Sequence, residues 1–248
     1  MPKIVVANWK MNPSSVKEAA LLFKQVYPLA PKSKNIQIII CPPLPFLTLA
    51  PKNQKIRLGA QNVAKQEAGS YTGEVSAKML TSLGVSFVII GHSERRTLGE
   101  TNEDINQKIL IALKAKLNII LCLGEVSRDH DGQYLSLVEN QIKESLFNVK
   151  LAQIKNIMIA YEPIWAIGQT ATREATPAEF TEMKIFIRKI IADLYNSKIA
   201  HSLPIIYGGS VNPQNAKSFV EEGGADGLLI GRDSLNVKKF GAIIKTLI

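Results

Sequence analysis

The chain has 248 residues, of which 46% are hydrophobic and 6% aromatic, with 30 Lys and Arg against 21 Asp and Glu for a net charge of +9. That length suits one eightfold α/β barrel, which takes about 250 residues, so one domain over residues 1–248 is expected and collagen-like, low-complexity and disordered classes are excluded. The positive balance favours anionic small molecules, whereas scattered lysines (Lys24, Lys65, Lys150, Lys238) without an arginine-aromatic stripe argue against nucleic acid.

The N-terminus Met1-Pro2-Lys3-Ile4 runs straight into an apolar stretch without a charged leader. Short apolar runs then recur at residues 4–7, 36–40, 56–60, 87–90, 118–122, 157–161, 204–207 and 227–230. They do not alternate with polar residues, as expected of strands covered on both faces in a parallel sheet. None is long enough to span a membrane. Cys41 and Cys122 each end such a run and lack metal-ligand spacing, so they read as buried thiols of a reducing compartment, the cytoplasm.

Amphipathic segments separate the runs. Two begin with a hydroxyl three residues before Glu, Ser15-Val16-Lys17-Glu18 and Thr176-Pro177-Ala178-Glu179, the pattern of a capping box, and Pro177 suits a first helical position. Gly84 after residues 76–83 and Gly223-Gly224 after residues 215–222 are expected stops. Strand and helix alternate throughout in this reading, in eight units of about 31 residues. The fold class is therefore α/β, a (β/α)8 barrel of eight parallel strands inside a ring of helices. An open doubly wound sheet is the alternative, but Gly-x-Gly-x-x-Gly is missing after the first strand, which ends in Asn8-Trp9-Lys10-Met11-Asn12.

Such barrels carry their chemistry at the strand C-termini. Those ends supply Asn8 and Lys10, Gln61-Asn62, Gly91-His92-Ser93-Glu94-Arg95-Arg96, Gly124-Glu125, Glu162, Gly208-Gly209-Ser210 and Gly231-Arg232. The last two glycine loops, with helices expected from Asn212-Pro213 and near Val237, offer backbone N–H groups to a phosphate, although glycines also occur in plain turns. Across from them, a carboxylate (Glu162), an imidazole (His92), an ammonium (Lys10) and an amide (Asn8) fit proton removal next to a carbonyl, with donors for the oxygen that gains charge. The three histidines, His92, His130 and His201, lack acidic or cysteine neighbours at ligand spacing, so neither a metal nor another cofactor is expected.

Four ordered motifs, Asn8-Trp9-Lys10-Met11-Asn12, Gly91-His92-Ser93-Glu94-Arg95-Arg96, Tyr161-Glu162-Pro163-Ile164-Trp165-Ala166-Ile167-Gly168 and Tyr207-Gly208-Gly209-Ser210-Val211, resemble the triosephosphate isomerase family over nearly the whole chain. The resemblance implies reversible conversion of dihydroxyacetone phosphate and D-glyceraldehyde 3-phosphate through an enediolate, in glycolysis and gluconeogenesis. It implies Glu162 as base, His92 as a neutral proton donor, Lys10 and Asn8 as oxyanion donors, and Ser93 and Glu94 as supporting partners. Substrate would touch Asn8, Trp9, Lys10, Gly168, Ser210, Gly231 and Arg232. Pro163, Ile164, Trp165, Ala166, Ile167 and Gly168 would open a closing lid over residues 163–175, and Thr72, in the long connection 61–74, would reach the partner of a homodimer.

Two departures stand out. The family lid commonly continues Gly-Thr-Gly-Lys, whereas this one reads Gly168-Gln169-Thr170-Ala171-Thr172-Arg173-Glu174-Ala175, two residues longer. Arg232 replaces a common second glycine; its side chain is expected to point outward while its backbone N–H survives. Epimerases of the same barrel type and a non-catalytic scaffold are rival readings. The first is disfavoured by the pairing of His92 with Glu162, the second by the presence of Lys10, His92 and Glu162 together.

Overall fold

The computed structural model describes residues 2–30, 35–51, 55–129, 131–168, 171 and 173–247. The apolar runs form eight strands: β1 Lys3–Asn8, β2 Ile36–Cys41, β3 Ile56–Ala60, β4 Phe87–Ile90, β5 Asn118–Leu123, β6 Ile157–Tyr161, β7 Ile205–Tyr207 and β8 Gly227–Ile230. Every neighbouring pair is parallel, and β8 returns to β1 with Ile4 opposite Gly227, which closes the sheet into a barrel.

Alternate residues of each strand serve two cores, which is why the runs lack a polar phase. Ile4, Val6, Ile39, Ile89, Ile120, Met158, Ile206 and Leu229 fill the barrel, together with Cys41 and Cys122. Their neighbours Val5, Ala7, Ile38, Val88, Ile119 and Ile159 face outward against the helices. Each buried aliphatic side chain contributes roughly 1.5–3 kcal/mol relative to exposure.

Nine helices are seen among the described residues: α1 Val16–Val26, α2 Ala77–Ser82, α3 Ser93–Thr97, α4 Asn102–Lys114, α5 Gln133–Ser145, α6 Pro177–Leu194, α7 Ser197–Ser202, α8 Ala216–Glu221 and α9 Val237–Lys245. No helix among them is long and apolar enough to cross a membrane.

The alternation of strand and α-helix fails once. Among the described residues between β2 and β3 lies only a 3-10 stretch, Leu44–Leu49. Pro42, Pro43 and Pro45 explain it, because prolines withhold N–H groups and clash with an α-helical turn. The expected box at the start of α1 is also only half made. Ser15 Oγ accepts from Glu18 N, but the Glu18 carboxylate accepts from the backbone N–H and hydroxyl of Ser14 instead. At α6 the box is complete: Thr176 Oγ1 accepts from Glu179 N at 3.2 Å and Glu179 Oε2 from Thr176 N at 2.8 Å. Thr101 and Asp104 build a second complete box on α4.

The carboxyls in both complete boxes are held at about 2, Glu179 foremost by Arg173 and Asp104 foremost by Lys65. Folded values below the ordinary 4.5 and 3.8 mean that both groups stabilise the fold above those values and cease to as pH falls toward 2. The melting temperature should therefore drop between about pH 5 and pH 2, and Glu179→Gln should flatten part of that slope. A slope unchanged in the variant, followed by thermal melts across that range, would count against this assignment.

Candidate active site

A parallel barrel brings all strand C-termini to one mouth, where a cleft of about 620 Å3 is lined by Asn8, Lys10, His92, Glu162, Ser210 and Gly231 among others. Trp9, Ser93, Glu94, Ile164, Ile167, Gly168 and Arg232 border it as well.

Lys10 follows β1 in an unusual conformation, with φ +51°. A non-glycine residue there carries a cost of about 1–2 kcal/mol, so neighbouring groups must hold it. They do so through the backbone: Asn8 Oδ1 accepts from Lys10 N at 3.0 Å, and Gln61 Nε2 donates to Lys10 O at 2.8 Å and to Cys41 O at 2.9 Å. The ammonium then reaches across to Glu94 Oε1 at 2.6 Å. That pair is half exposed and adds little stability; it aims Lys10 Nζ along the cleft. Gly231 leaves the space, since a Cβ there would lie 3.2 Å from Lys10 Cε.

His92 ends the β4 connection as the N-cap of α3. Its Nδ1 accepts from Glu94 N at 3.3 Å. A peptide N–H can only donate, so a neutral ring carries its proton on Nε2, and Nε2 faces Glu162 Oε1 at 3.2 Å. Glu162 is 2% exposed, and its Oε2 accepts from Ser93 N at 2.9 Å. Missing side chains make the room for Glu162. A Cβ on Gly208 would lie 3.0 Å from Glu162 Cγ, and one on Gly124 only 1.8 Å from Glu162 O. Burial first, and then the Glu162 charge, keep the Cys122 thiol protonated within the barrel.

A second carboxylate, Glu125, is 1% exposed and anchors the next segment. Its Oε1 accepts from Tyr161 OH at 2.7 Å, Trp165 Nε1 at 2.8 Å and Arg128 Nε at 3.1 Å. Its backbone oxygen receives Ile164 N at 3.0 Å. Glu125 stands out in the sequence only as a strand-end residue; the convergence of Tyr161, Trp165 and Arg128 on it leaves no local signal. The same is true of the clamp that Gln61 places on Lys10.

The 163–168 segment begins as a 3-10 turn over Ile164–Ala166, and Ser210 Oγ donates to Ala166 O at 2.8 Å. Gln169, Thr170 and Thr172 of the longer lid half lie outside the described residues, as does His130. Trp9 meets the cleft, but its indole is fully buried with its ring centroid 4.6 Å from that of Phe23. Thr72 is exposed on the connection after β3.

The helix expected from Asn212-Pro213 starts later, at Ala216. Asn212 Oδ1 instead accepts from Gln214 N and Asn215 N, an Asx turn that competes with helix at that point. After Gly231 comes a 3-10 turn, Arg232–Leu235, that borders the cleft, and α9 begins at Val237 as expected. Arg232 is exposed and does not adopt a positive φ, so the loop does not need the conformation that a glycine would permit.

Residues 3–247 match a protein-family model described as triosephosphate isomerase. A triosephosphate isomerase of Flavobacterium psychrophilum is 41% identical over 98% of both chains, and one of Clostridium botulinum is 42% identical over 97% of this chain and 98% of its own. A third, from Natranaerobius thermophilus, is 38% identical over 98% of this chain and 94% of its own.

The contact between Gly124 and the Glu162 backbone gives a direct test of how the site is seated. Gly124→Ala would force two strand ends apart and should lower the unfolding free energy by about 2–4 kcal/mol. A denaturant midpoint equal to that of the wild type would show that the close approach is not required.

Proposed function

The chain belongs to the triosephosphate isomerase family, whose reaction interconverts dihydroxyacetone phosphate and D-glyceraldehyde 3-phosphate, and we propose that Asn8, Lys10, His92 and Glu162 carry that reaction in one catalytic domain spanning residues 1–248. Glu162 takes a proton from the carbon beside the substrate carbonyl. The electron pair moves onto the carbonyl oxygen, giving an enediolate, and Glu162 returns the proton to the neighbouring carbon. His92 gives its Nε2 proton to the oxygen that gains charge and recovers one from the neighbouring hydroxyl as that carbon becomes the new carbonyl, while Lys10 and Asn8 stabilise the developing charge electrostatically. No cofactor is invoked.

The observation that carries this reading is the 3.2 Å approach of His92 Nε2 to the buried Glu162 carboxylate, in a cleft that Lys10 also lines. Both Glu162 oxygens face donors of the β4 connection, so the carboxylate swings off Ser93 N when it engages the substrate carbon. Backbone N–H groups of Gly168, Ser210, Gly231 and Arg232 hold the phosphate. Residues 163–168 close over it as a lid, which excludes water from the charged intermediate.

A homodimer in the cytoplasm completes the proposal. Two buried free cysteines suit a reducing compartment. Met11 and Leu98, 92% and 81% exposed, are apolar side chains on the first and fourth loops that a partner would cover, as it would the exposed Thr72 and Tyr71 of the long connection.

Glu162→Gln keeps the shape and removes the base. In a coupled assay with glyceraldehyde 3-phosphate, kcat should fall by a factor on the order of 10^3; a variant within a few fold of wild type would refute the base assignment. Sedimentation equilibrium should return twice the 27.3 kDa chain mass, and a monomer at micromolar concentration would remove the dimer.

A further inference from the structure

The barrel has a second mouth, at the N-terminal ends of its strands, where residues of β1 to β6 enclose a cavity of about 410 Å3. Its floor is apolar, made by the buried side chains of Ile4, Phe87 and Met158. Side chains alternate along a strand, so Gln37, Arg57 and Asn118 continue downward the inward rows of Ile39, Gly59 and Ile120. Those rows are inside the barrel: Ile39 and Ile120 pack in its interior, and a Cβ on Gly59 would collide with Cys41 Sγ there. The inward layers of such barrels are ordinarily bulky aliphatics. Here the lowest layer holds two amides and a guanidinium. Asn118 is engaged, since its Nδ2 donates to Ser86 O at 3.0 Å. Among the described residues, however, the Arg57 guanidinium has no hydrogen bond or ion pair, and neither has the Gln37 amide or the ammonium of Lys155, just before β6. No acidic side chain among the described residues lines the cavity.

We propose that this N-terminal mouth is a second ligand site, which takes a small polyanion carrying phosphate or carboxylate groups, with Arg57 and Lys155 as its cationic contacts. The planar fork of an arginine matches two oxygens of either group, while a lysine supplies a point charge. β3 and β6 stand three strands apart in the closed sheet, so the two cations reach the cavity from different walls. A ligand with charge at more than one place engages both. Like charges lining a concavity with an apolar floor focus the field, so they attract an anion more strongly than the same groups on an open surface. At about 410 Å3 the cavity also falls within the size of small-molecule sites, roughly 300–1,000 Å3. The packed barrel interior separates this mouth from the catalytic cleft, so the proposal is independent of the isomerisation.

The test titrates inorganic pyrophosphate into the full-length protein and follows two sets of backbone amide resonances by NMR. Ser86, Asn118 and Ile157 report on the N-terminal mouth, and Ser210 and Gly231 on the catalytic cleft. In the wild type the first set should shift and saturate. Arg57→Gln and Lys155→Gln should each raise the Kd read from that set by roughly three- to tenfold, with the response of Ser210 and Gly231 unchanged. Arg57→Lys, which keeps the charge without the fork, should lie between wild type and Arg57→Gln. Both positions are exposed, so the substitutions leave the core intact, and an unchanged cleft response shows that each variant is folded. Shifts confined to Ser210 and Gly231, or a mouth response that does not saturate, would overturn the site. So would a mouth response that keeps its wild-type Kd in both Arg57→Gln and Lys155→Gln.

Discussion

Closure of the parallel sheet is the constraint from which the rest follows. Once β8 pairs with β1, every strand runs the same way, and the residues after each strand meet at one rim. Asn8, His92, Glu162 and Ser210 are far apart in sequence, yet they share a cleft because each lies at or just beyond a strand end. The interior below is packed with Ile, Val, Leu and Met, so the cleft has an apolar floor that lowers the local dielectric. Charges at the rim act on one another more strongly than they would in water.

Two buried carboxylates on that rim are treated differently, and the difference lies in their donors. Glu125 gathers a phenol, an indole and a guanidinium on one oxygen, so moving it would strand three donors. Glu162 has one peptide N–H and one imidazole nitrogen, one on each oxygen. A substrate that brings its own polar groups can compensate for leaving those two. One carboxylate is thereby an anchor and the other can move, although both are almost wholly hidden from solvent.

Much of this was legible in the chain because buried parallel strands are unbroken apolar runs. Residues 56–60, 87–90, 157–161 and 227–230 read from that pattern coincide with β3, β4, β6 and β8; β2, β5 and β7 differ by a residue at one end and β1 by a residue at each. The candidate site was legible for the same reason, since polar residues directly after such runs have few other places to be. Interactions between distant segments were not. The proline-driven 3-10 stretch after β2, the turn at Asn212 and the redirected carboxylate of Glu18 each depend on a local competition that hydropathy does not record. Glu125 and Gln61 acquire their partners only when loops from different strands converge.

The left-handed backbone of Lys10 bears on how this position can change over time. Glycine would sit there without strain and keep the backbone hydrogen bonds, but no ammonium would face the cleft. Conformational preference and electrostatics thus pull the same site toward different residues. Selection on backbone ease alone would drift toward the small residue, so a lysine held there points to a demand other than conformational preference. The strain at Lys10 is in that sense a record, written into the main chain, of which pressure has prevailed.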